Sequence, residues 1–241
     1  MKKKVSYNDF IRTSYPLEKK MVEKRNNPAS YLVYRPISFP VSWACYMIGL
    51  RPNHVTFLAL FSSLYGLFML LQSYFLIGAL FLNLAYLLDQ VDGSLARSMK
   101  LNSEAGSWLD SLVGYTYSGF YLLSISIGYF TSQNGTIDVV SSFLQQSDIL
   151  VIGTVGSFAI LVRKWMVNTS SSICARPVST QIANSSHFYY AIPKYINSFS
   201  MLLLLISVLS QVISLFILAL SVFHVIQTIL VAMLVWRGFD N

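Results

Sequence analysis

Three aspartates in otherwise apolar sequence are the residues best placed to do chemistry in this chain. Asp89 and Asp92 lie at the end of one apolar segment, and Asp110 follows shortly after the start of the next. An aspartate at the bilayer centre costs about 2.5–3.5 kcal/mol, and less near the interface. The three therefore need compensation, by cations or by polar partners. A single acid at a helix end often marks only the membrane interface, and that interpretation stays open for Asp89 alone.

Helical spacing predicts that the three carboxylates converge. Four residues at offsets 0, 3, 4 and 7 share one stripe of an α-helix: Asp89, Asp92, Gly93 and Ala96. Gly106 and Asp110 share a face of the next helix, and a short loop returns Asp110 to about the depth of Asp89. Oxygen ligands suit a hard cation, Mg²⁺ or Mn²⁺. The histidines, at 54, 187 and 224, are too scattered to join this predicted cation site, and His224 is predicted to be a packed residue of the bundle.

Blocks of apolar sequence must position these residues. Of the 241 residues, 54% are hydrophobic and only 11% are charged, whereas a soluble domain has about 25% charged residues. A helix that spans a bilayer needs about 20 apolar residues. Six such blocks can be delimited, with Ser210-Gln211 as the only visible turn between the last two: 53–72, 74–91, 106–131, 149–167, 197–213 and 215–236. We therefore predict an all-α bundle of six transmembrane helices.

The basic residues predict the orientation of this bundle. All 17 Lys and Arg residues fall in segments that the six-helix arrangement places on one side, nine of them within residues 1–35. The opposite loops, including residues 132–148, contain none. By the positive-inside rule, both termini and the aspartates face the cytosol. The net charge of +7 indicates contact with anionic membrane lipids, and no basic patch interleaved with aromatic residues suggests nucleic acid.

Three regions follow from these patterns. Residues 1–35 form a basic cytosolic head, which we expect to be mobile. Residues 36–50 are apolar but too short to span, so we predict an interfacial amphipathic helix anchored by Trp43 and Tyr46. Residues 51–241 form the bundle. Its polar loop 168–195 either closes over a substrate or is a simple connection. We interpret Cys45 and Cys174 as small apolar packing residues, since two cysteines are too few for a disulfide framework and neither lies in a metal-ligand spacing.

The aspartate pattern resembles the motif of the CDP-alcohol phosphotransferases. Seven of eight fixed positions match at the right spacing: Asp89-x-x-Asp92-Gly93-x-x-Ala96-Arg97, eight residues, then Gly106-x-x-x-Asp110. The Pro52-Asn53-His54-Val55-Thr56 start of the first span is also similar, and the resemblance covers residues 36–237. It implies a membrane enzyme that transfers a substituted phosphate group, such as phosphatidyl from CDP-diacylglycerol, to a polar alcohol and releases CMP. It also implies a homodimer.

The resemblance further implies roles for the matched residues. Up to two Mg²⁺ or Mn²⁺ ions would be held by three ligands: Asp89, Asp92 and Asp110. The CDP pocket would be lined by four residues of the motif and two from the first span: Gly93, Ala96, Arg97, Gly106, Asn53 and Thr56. Arg97 would lie near the phosphates of the donor.

The eighth motif position, where the family has a fourth aspartate, is Gly114. In the family this carboxylate helps to hold the second cation and is the proposed catalytic base, so the second cation site is expected to be weakened here. Three alternatives stay open: an enzyme with an unusual base, a catalytically silent relative that binds CDP-lipid or partners an active subunit, or an introduced substitution. Gly114 also belongs to a small-residue stripe with Ser107, Ser111 and Ser118, which would suit a tight helix contact.

The acceptor alcohol is not identified by the sequence. Arg163 and Lys164, at the predicted cytosolic end of the fourth span, either bind a phosphate of the acceptor or extend to the interface as positive-inside residues.

Overall fold

The chain is a bundle of helices. A computed structural model describes residues 6–101, 103–132, 140, 143–173 and 188–239, and every regular element in these ranges is helical, as predicted. The elements are α1 Tyr7–Ser14, α2 Leu17–Asn26, a π-helical turn Ser30–Tyr34, α3 Arg35–Met47, α4 Pro52–Leu71, α5 Phe75–Met99, α6 Glu104–Thr131, α7 Gln146–Ile173, α8 Phe188–Leu209 and α9 Ile213–Phe239.

Four of the described helices are long and apolar enough to cross a membrane: Pro52–Leu71, Phe75–Met99, Gln146–Ser170 and Ile213–Trp236. They correspond to the first, second, fourth and sixth predicted blocks. Helices α6 and α8 occupy the third and fifth blocks, and the total of six spans stays a prediction. α5 continues past the predicted end at residue 91 to Met99, so the whole aspartate motif of this block lies on one continuous helix.

Short turns with a left-handed residue join several of these helices. Ser73 (φ 66°), Lys100 (φ 55°) and Gln211 (φ 58°) have positive φ angles, and Gln211 falls in the polar pair Ser210-Gln211 where the sequence predicted a turn. Ser73 Oγ donates to the carbonyl oxygen of Gly128 at 2.7 Å. The α4–α5 turn therefore packs against the end of α6 that lies far from Asp110.

Close packing of α4 against α5 and α6 supports the aspartate-bearing helices. A Cβ atom at Gly78 would stand 2.9 Å from the carbonyl oxygen of Gly66 and 2.6 Å from Leu70 Cδ2. α4 and α5 thus approach more closely than an alanine at Gly78 would allow. Tyr121 and Ile125 of α6 are buried in the same hydrophobic core.

The N-terminal head differs from the mobile segment that we expected, because its described part, from residue 6, is largely helical and packed on the bundle. Arg35 Nε and Glu23 Oε2 form an ion pair at 2.9 Å, with side chains only 4% and 5% exposed. Arg35 Nη1 also donates to the Gln90 carbonyl oxygen (3.1 Å) and to Ser94 Oγ (2.9 Å) on α5. Burial alone would raise the pKa of Glu23, but the hydrogen bond and charge of Arg35 outweigh it and lower that pKa. Glu23 therefore stays ionised at neutral pH.

Helix α3 occupies most of the segment for which we predicted an interfacial helix. It ends at Met47, and Gly49 with φ 78° turns the chain toward α4. α3 packs on α5, while Ile37 and Ile48 are 50% and 73% exposed. Its location at a membrane interface stays a prediction.

The predicted loop 168–195 is helical at both ends, in α7 and α8. Residues 174–187, with Cys174 and His187, lie outside the described ranges.

Candidate active site

Nine of the ten predicted site residues line one cavity of about 430 Å³: Asn53, Thr56, Asp89, Asp92, Gly93, Ala96, Arg97, Gly106 and Asp110. Only Gly114 is not in its wall. The cavity lies where the start of α4, the last turns of α5 and the start of α6 meet. The expected convergence of the three aspartates is therefore present in the structure, in the sense that all three face the same space.

Local sequence explains why these helices begin and end around the cavity. Pro52 opens α4 at its first position, where the missing N–H of proline costs nothing. Lys100 ends α5 in a left-handed conformation. Ser103 caps α6, because its Oγ accepts a hydrogen bond from the Gly106 N–H at 3.0 Å. These signals fix Thr56, the α5 motif and Gly106 at neighbouring helix ends.

The three carboxylates have different surroundings. Asp92 is 5% exposed, and its Oδ2 accepts a hydrogen bond from Thr56 Oγ1 at 2.6 Å. Asp89 is half-buried and accepts from Gln90 Nε2 at 3.1 Å, and its carboxyl group interacts with those of Asp110 and Asp92. Asp110 is exposed. Across the described part of the chain, none of the three forms an ion pair. Three carboxylates that face one cavity without a cationic partner among the described residues favour a bound cation.

The three carboxylates are ligands of the type that one hard divalent cation prefers, because each offers oxygen atoms. Within the described ranges, however, no three His, Cys, Asp or Glu side chains are grouped closely enough to hold a metal ion. Binding would therefore require the aspartate side chains to turn toward one another. The second ion that the resemblance implies would lack the carboxylate expected at position 114.

Arg97 presents an unused donor beside the carboxylates. Its Nε donates to the Ser14 carbonyl oxygen at 2.6 Å, whereas Nη2 is buried and has no hydrogen-bond partner among the described residues. A Cβ atom at Gly93 would stand 3.2 Å from Arg97 Nη1. Glycine at 93 thus leaves room for the guanidinium group, whose free donor capacity suits an anionic ligand.

Gly114 faces open space. A Cβ atom added there would meet nothing within 4 Å, so this glycine does not serve the tight helix contact that the small-residue stripe suggested. Its carbonyl oxygen accepts a hydrogen bond from Lys164 Nζ at 2.8 Å. The same ammonium group donates to Ser118 Oγ at 2.5 Å and lies 4.6 Å from the ring centroid of Tyr115.

A second cavity, of about 350 Å³, was not predicted from the sequence. Most of the residues that line it carry a polar group, among them Arg163, Lys164, Ser118, Asn197, Tyr86 and Tyr117. Asp110, Gly114 and Ser118 are spaced four residues apart on α6, so they follow one face at intervals of about 6 Å. Since Asp110 lines the first cavity and Ser118 the second, Gly114 lies between the two.

Several polar residues at these cavities carried no signal in the sequence. Lys19, Arg35 and Gln90 line the first cavity, yet the two cations lie in the head and far from the motif along the chain. His224 is 3% exposed and its Nε2 is 3.3 Å from Tyr121 Oη, so it is the packed residue that we expected, although it also lines the second cavity.

Comparison with known proteins bears on this site directly. A protein-family model described as CDP-alcohol phosphatidyltransferase matches residues 50–236. The match includes every residue of the aspartate motif, Asn53 and Thr56, and leaves out the head. No curated protein matches the sequence.

Proposed function

The chain belongs to the CDP-alcohol phosphatidyltransferase family, and we propose that it transfers a phosphatidyl or similarly substituted phosphate group from a CDP-linked donor to a polar alcohol, with release of CMP. The observation that carries the proposal is the convergence of the family's motif residues on one cavity of about 430 Å³. CDP-diacylglycerol is the donor that we favour, because the apolar spans would keep a lipid donor beside this cavity.

The residues of the cavity suit the steps of such a transfer. Arg97, with its free Nη2, would hold a phosphate of the donor. Thr56 keeps the buried Asp92 carboxylate in place through a hydrogen bond of 2.6 Å. A Mg²⁺ or Mn²⁺ ion held by Asp89, Asp92 and Asp110 would neutralise charge on the diphosphate and on the departing CMP. The acceptor oxygen attacks the β-phosphorus, the bond to CMP breaks, and the acceptor loses its proton.

Among the described residues, none supplies a carboxylate at the position from which the family's base would take that proton. The family's base aspartate would project from position 114, where the described structure has open space and no side chain. We therefore propose a slow enzyme. The proton passes either to water or to an anionic group, such as a phosphate, on the acceptor itself.

The second cavity supports an anionic acceptor. Arg163 and Lys164 line it and have no ion-pair partner among the described residues. Arg163 donates instead to Gln227 Oε1. A half-buried cation without an anionic partner is costly in a membrane bundle, and a phosphate on the acceptor would offset that cost. Hydroxyl and amide groups from Tyr86, Ser118 and Asn197 would suit the remaining hydroxyls of a phosphorylated polyol.

A catalytically silent relative is the second candidate. Gly114 favours it, because the position lacks both a metal ligand and a base. Such a protein would bind CDP-lipid in the first cavity, or partner an active subunit, without releasing CMP.

An assay of CMP formation tests the proposal and separates the two candidates. The full chain, with CDP-diacylglycerol and Mg²⁺ or Mn²⁺, is offered a panel of alcohols in phosphorylated and unphosphorylated pairs. We expect chelator-sensitive CMP release that is greater with the phosphorylated member of a pair. In Arg163→Gln, the ratio of CMP release with the phosphorylated alcohol to release with its unphosphorylated partner should fall by about 10-fold. A hydrogen bond to a charged group contributes about 1.5–3 kcal/mol. Donor binding without CMP release from any acceptor would leave the silent relative.

We further propose that the chain crosses the membrane six times, with both termini and the first cavity on the cytosolic side, and that it forms a homodimer. The one-sided distribution of its 17 basic residues supports the orientation.

Cysteine labelling tests this topology. After Cys45 and Cys174 are replaced by serine, single cysteines are introduced at Lys100, Thr180 or Asn134. We expect labelling of the first two only from the cytosolic side, and of the third only from outside. Labelling from outside at Lys100 would place the aspartates on the wrong face for a cytosolic donor and would refute the proposed orientation.

A further inference from the structure

We propose that Lys19, from the N-terminal head, binds the diphosphate of the CDP-linked donor. The inference rests on the donor cavity proposed above and adds a residue from outside the family-matched range 50–236. Lys19 is on α2, and it lines the same cavity as Asp89, Asp92 and Arg97. The head therefore contributes a positive charge to a site formed mainly by residues of α4, α5 and α6.

The head is held in place by several buried contacts, which make the position of Lys19 specific. Glu23, one turn after Lys19 on α2, pairs with Arg35 at 2.9 Å. Ser30 Oγ links α2 to α5, because it lies 2.5 Å from Glu23 Oε1 and 2.9 Å from Gln90 Oε1. Before α2, the Ser14 carbonyl oxygen accepts a hydrogen bond from Arg97 Nε at 2.6 Å. Lys19 thus lies between two points at which the head is fixed to α5.

The charges around the cavity leave Lys19 available to an anion. Three basic residues line the cavity, and they differ in their ion-pair and hydrogen-bond partners: Lys19, Arg35 and Arg97. Arg35 is neutralised by Glu23. Arg97 donates through Nε to the Ser14 carbonyl oxygen, and its Nη2 has no hydrogen-bond partner among the described residues. Lys19 forms no ion pair with any residue in the described ranges and is exposed enough to move toward a ligand.

A diphosphate is the ligand that this charge pattern fits. Three carboxylates, one divalent ion and a diphosphate together leave a negative excess, which Arg97 alone does not balance. A fourth carboxylate would bring a second divalent ion in this family, but Gly114 cannot supply it. An ammonium group binds phosphate oxygens as a compact point charge, and Lys19 would supply part of the missing positive charge.

Matched lysine variants test the proposal. Lys19→Gln is compared with Lys20→Gln, which removes the neighbouring exposed lysine that does not line the cavity. Binding of CDP, CMP and cytidine to the full chain in detergent with Mg²⁺ is measured by calorimetry. We expect Lys19→Gln to weaken CDP binding by about 10-fold, as the loss of a hydrogen bond to a charged group predicts. CMP should be affected less, cytidine should be unaffected, and Lys20→Gln should match the parent. Lys19→Arg should restore most of the affinity for CDP.

The outcomes distinguish this inference from the proposed function. If the parent chain binds none of the three ligands, the proposed donor site itself is wrong. If the parent binds CDP and the two glutamine variants behave alike, Lys19 has no specific role. An equal loss for both would indicate general attraction of anions, or of anionic lipid head groups, to the basic head. Should Lys19→Gln unfold at a lower temperature than the parent, Lys19→Met supplies the same comparison with an uncharged side chain of similar length.

Discussion

Replacing Gly114 by aspartate is expected to raise the rate of CMP release by about 10²–10⁴-fold, the usual contribution of one positioned base. The new carboxylate would lie one turn after Asp110 on α6, between the donor cavity and the second cavity. It could then take the proton of the acceptor hydroxyl and complete the ligand set for a second cation. The measurement is steady-state CMP release from CDP-diacylglycerol with the best acceptor of the panel.

The structure indicates that this substitution is tolerated. A Cβ atom at position 114 would meet nothing within 4 Å, so the side chain enters open space and displaces no neighbour. Lys164 Nζ, which contacts the Gly114 carbonyl oxygen at 2.8 Å, places a positive charge near the new carboxylate. A charge with a nearby partner is much less destabilising than an isolated one.

Gly114→Asn is the matched control for this experiment. Asparagine has the size of aspartate but is neither a base nor an anionic ligand, so it should release CMP no faster than the parent. A folded Gly114→Asp protein that is no faster than Gly114→Asn would refute the missing-base account. The remaining explanations would be a binding protein, or an enzyme whose base lies elsewhere.

Replacing Asp92 or Asp110 by asparagine is expected to weaken divalent-ion binding by at least about 10²-fold. Changes to residues that only support metal ligands already cost 10–100-fold in affinity or activity, and each of these substitutions removes one of three proposed ligand charges. For Asp92 the change also alters the hydrogen bond to Thr56. Binding of Mn²⁺ is measured by its paramagnetic resonance, with and without CDP, so the result does not depend on turnover.

Glu104→Gln is the control for these aspartate variants. Glu104 is the first residue of α6, close to the cavity in sequence but absent from its wall, so its loss should leave Mn²⁺ binding unchanged. Equal Mn²⁺ binding by the parent, Asp92→Asn and Asp110→Asn would mean that these aspartates are structural. The proposed metal-dependent transfer would then lose its basis.

The sequence predicted the aspartate cavity well because its geometry is mostly local. Asp89, Asp92 and Gly93 lie on one helix, where the period of 3.6 residues decides which side chains share a face. The relation to Asp110 needed only one short loop between neighbouring helices. Helix ends were harder to predict, and α5 extends to Met99 because polar motif residues continue the helix after the apolar block ends.

The contribution of the head could not be predicted, because it depends on contacts between distant parts of the chain. Arg35 and Ser94 are 59 residues apart, and no local pattern links them. The same limit applied to Gly114. Its spacing from Ser107 and Ser118 is equally suited to a helix contact and to a cavity wall, and only the neighbouring helices decide that it faces open space.

The docking of the head also sets an order in time. The Ala29 N–H donates to Ser198 Oγ at 2.8 Å, across 169 residues of sequence, and the Asn27 side chain contacts the same hydroxyl at 2.5 Å. At ordinary rates of synthesis, this partner leaves the ribosome on the order of ten seconds after the head does. A partly made chain therefore lacks one anchor of its own N-terminus until α8 has been synthesised. Nascent and truncated chains should accordingly keep the head less firmly docked over the aspartates than the finished protein does.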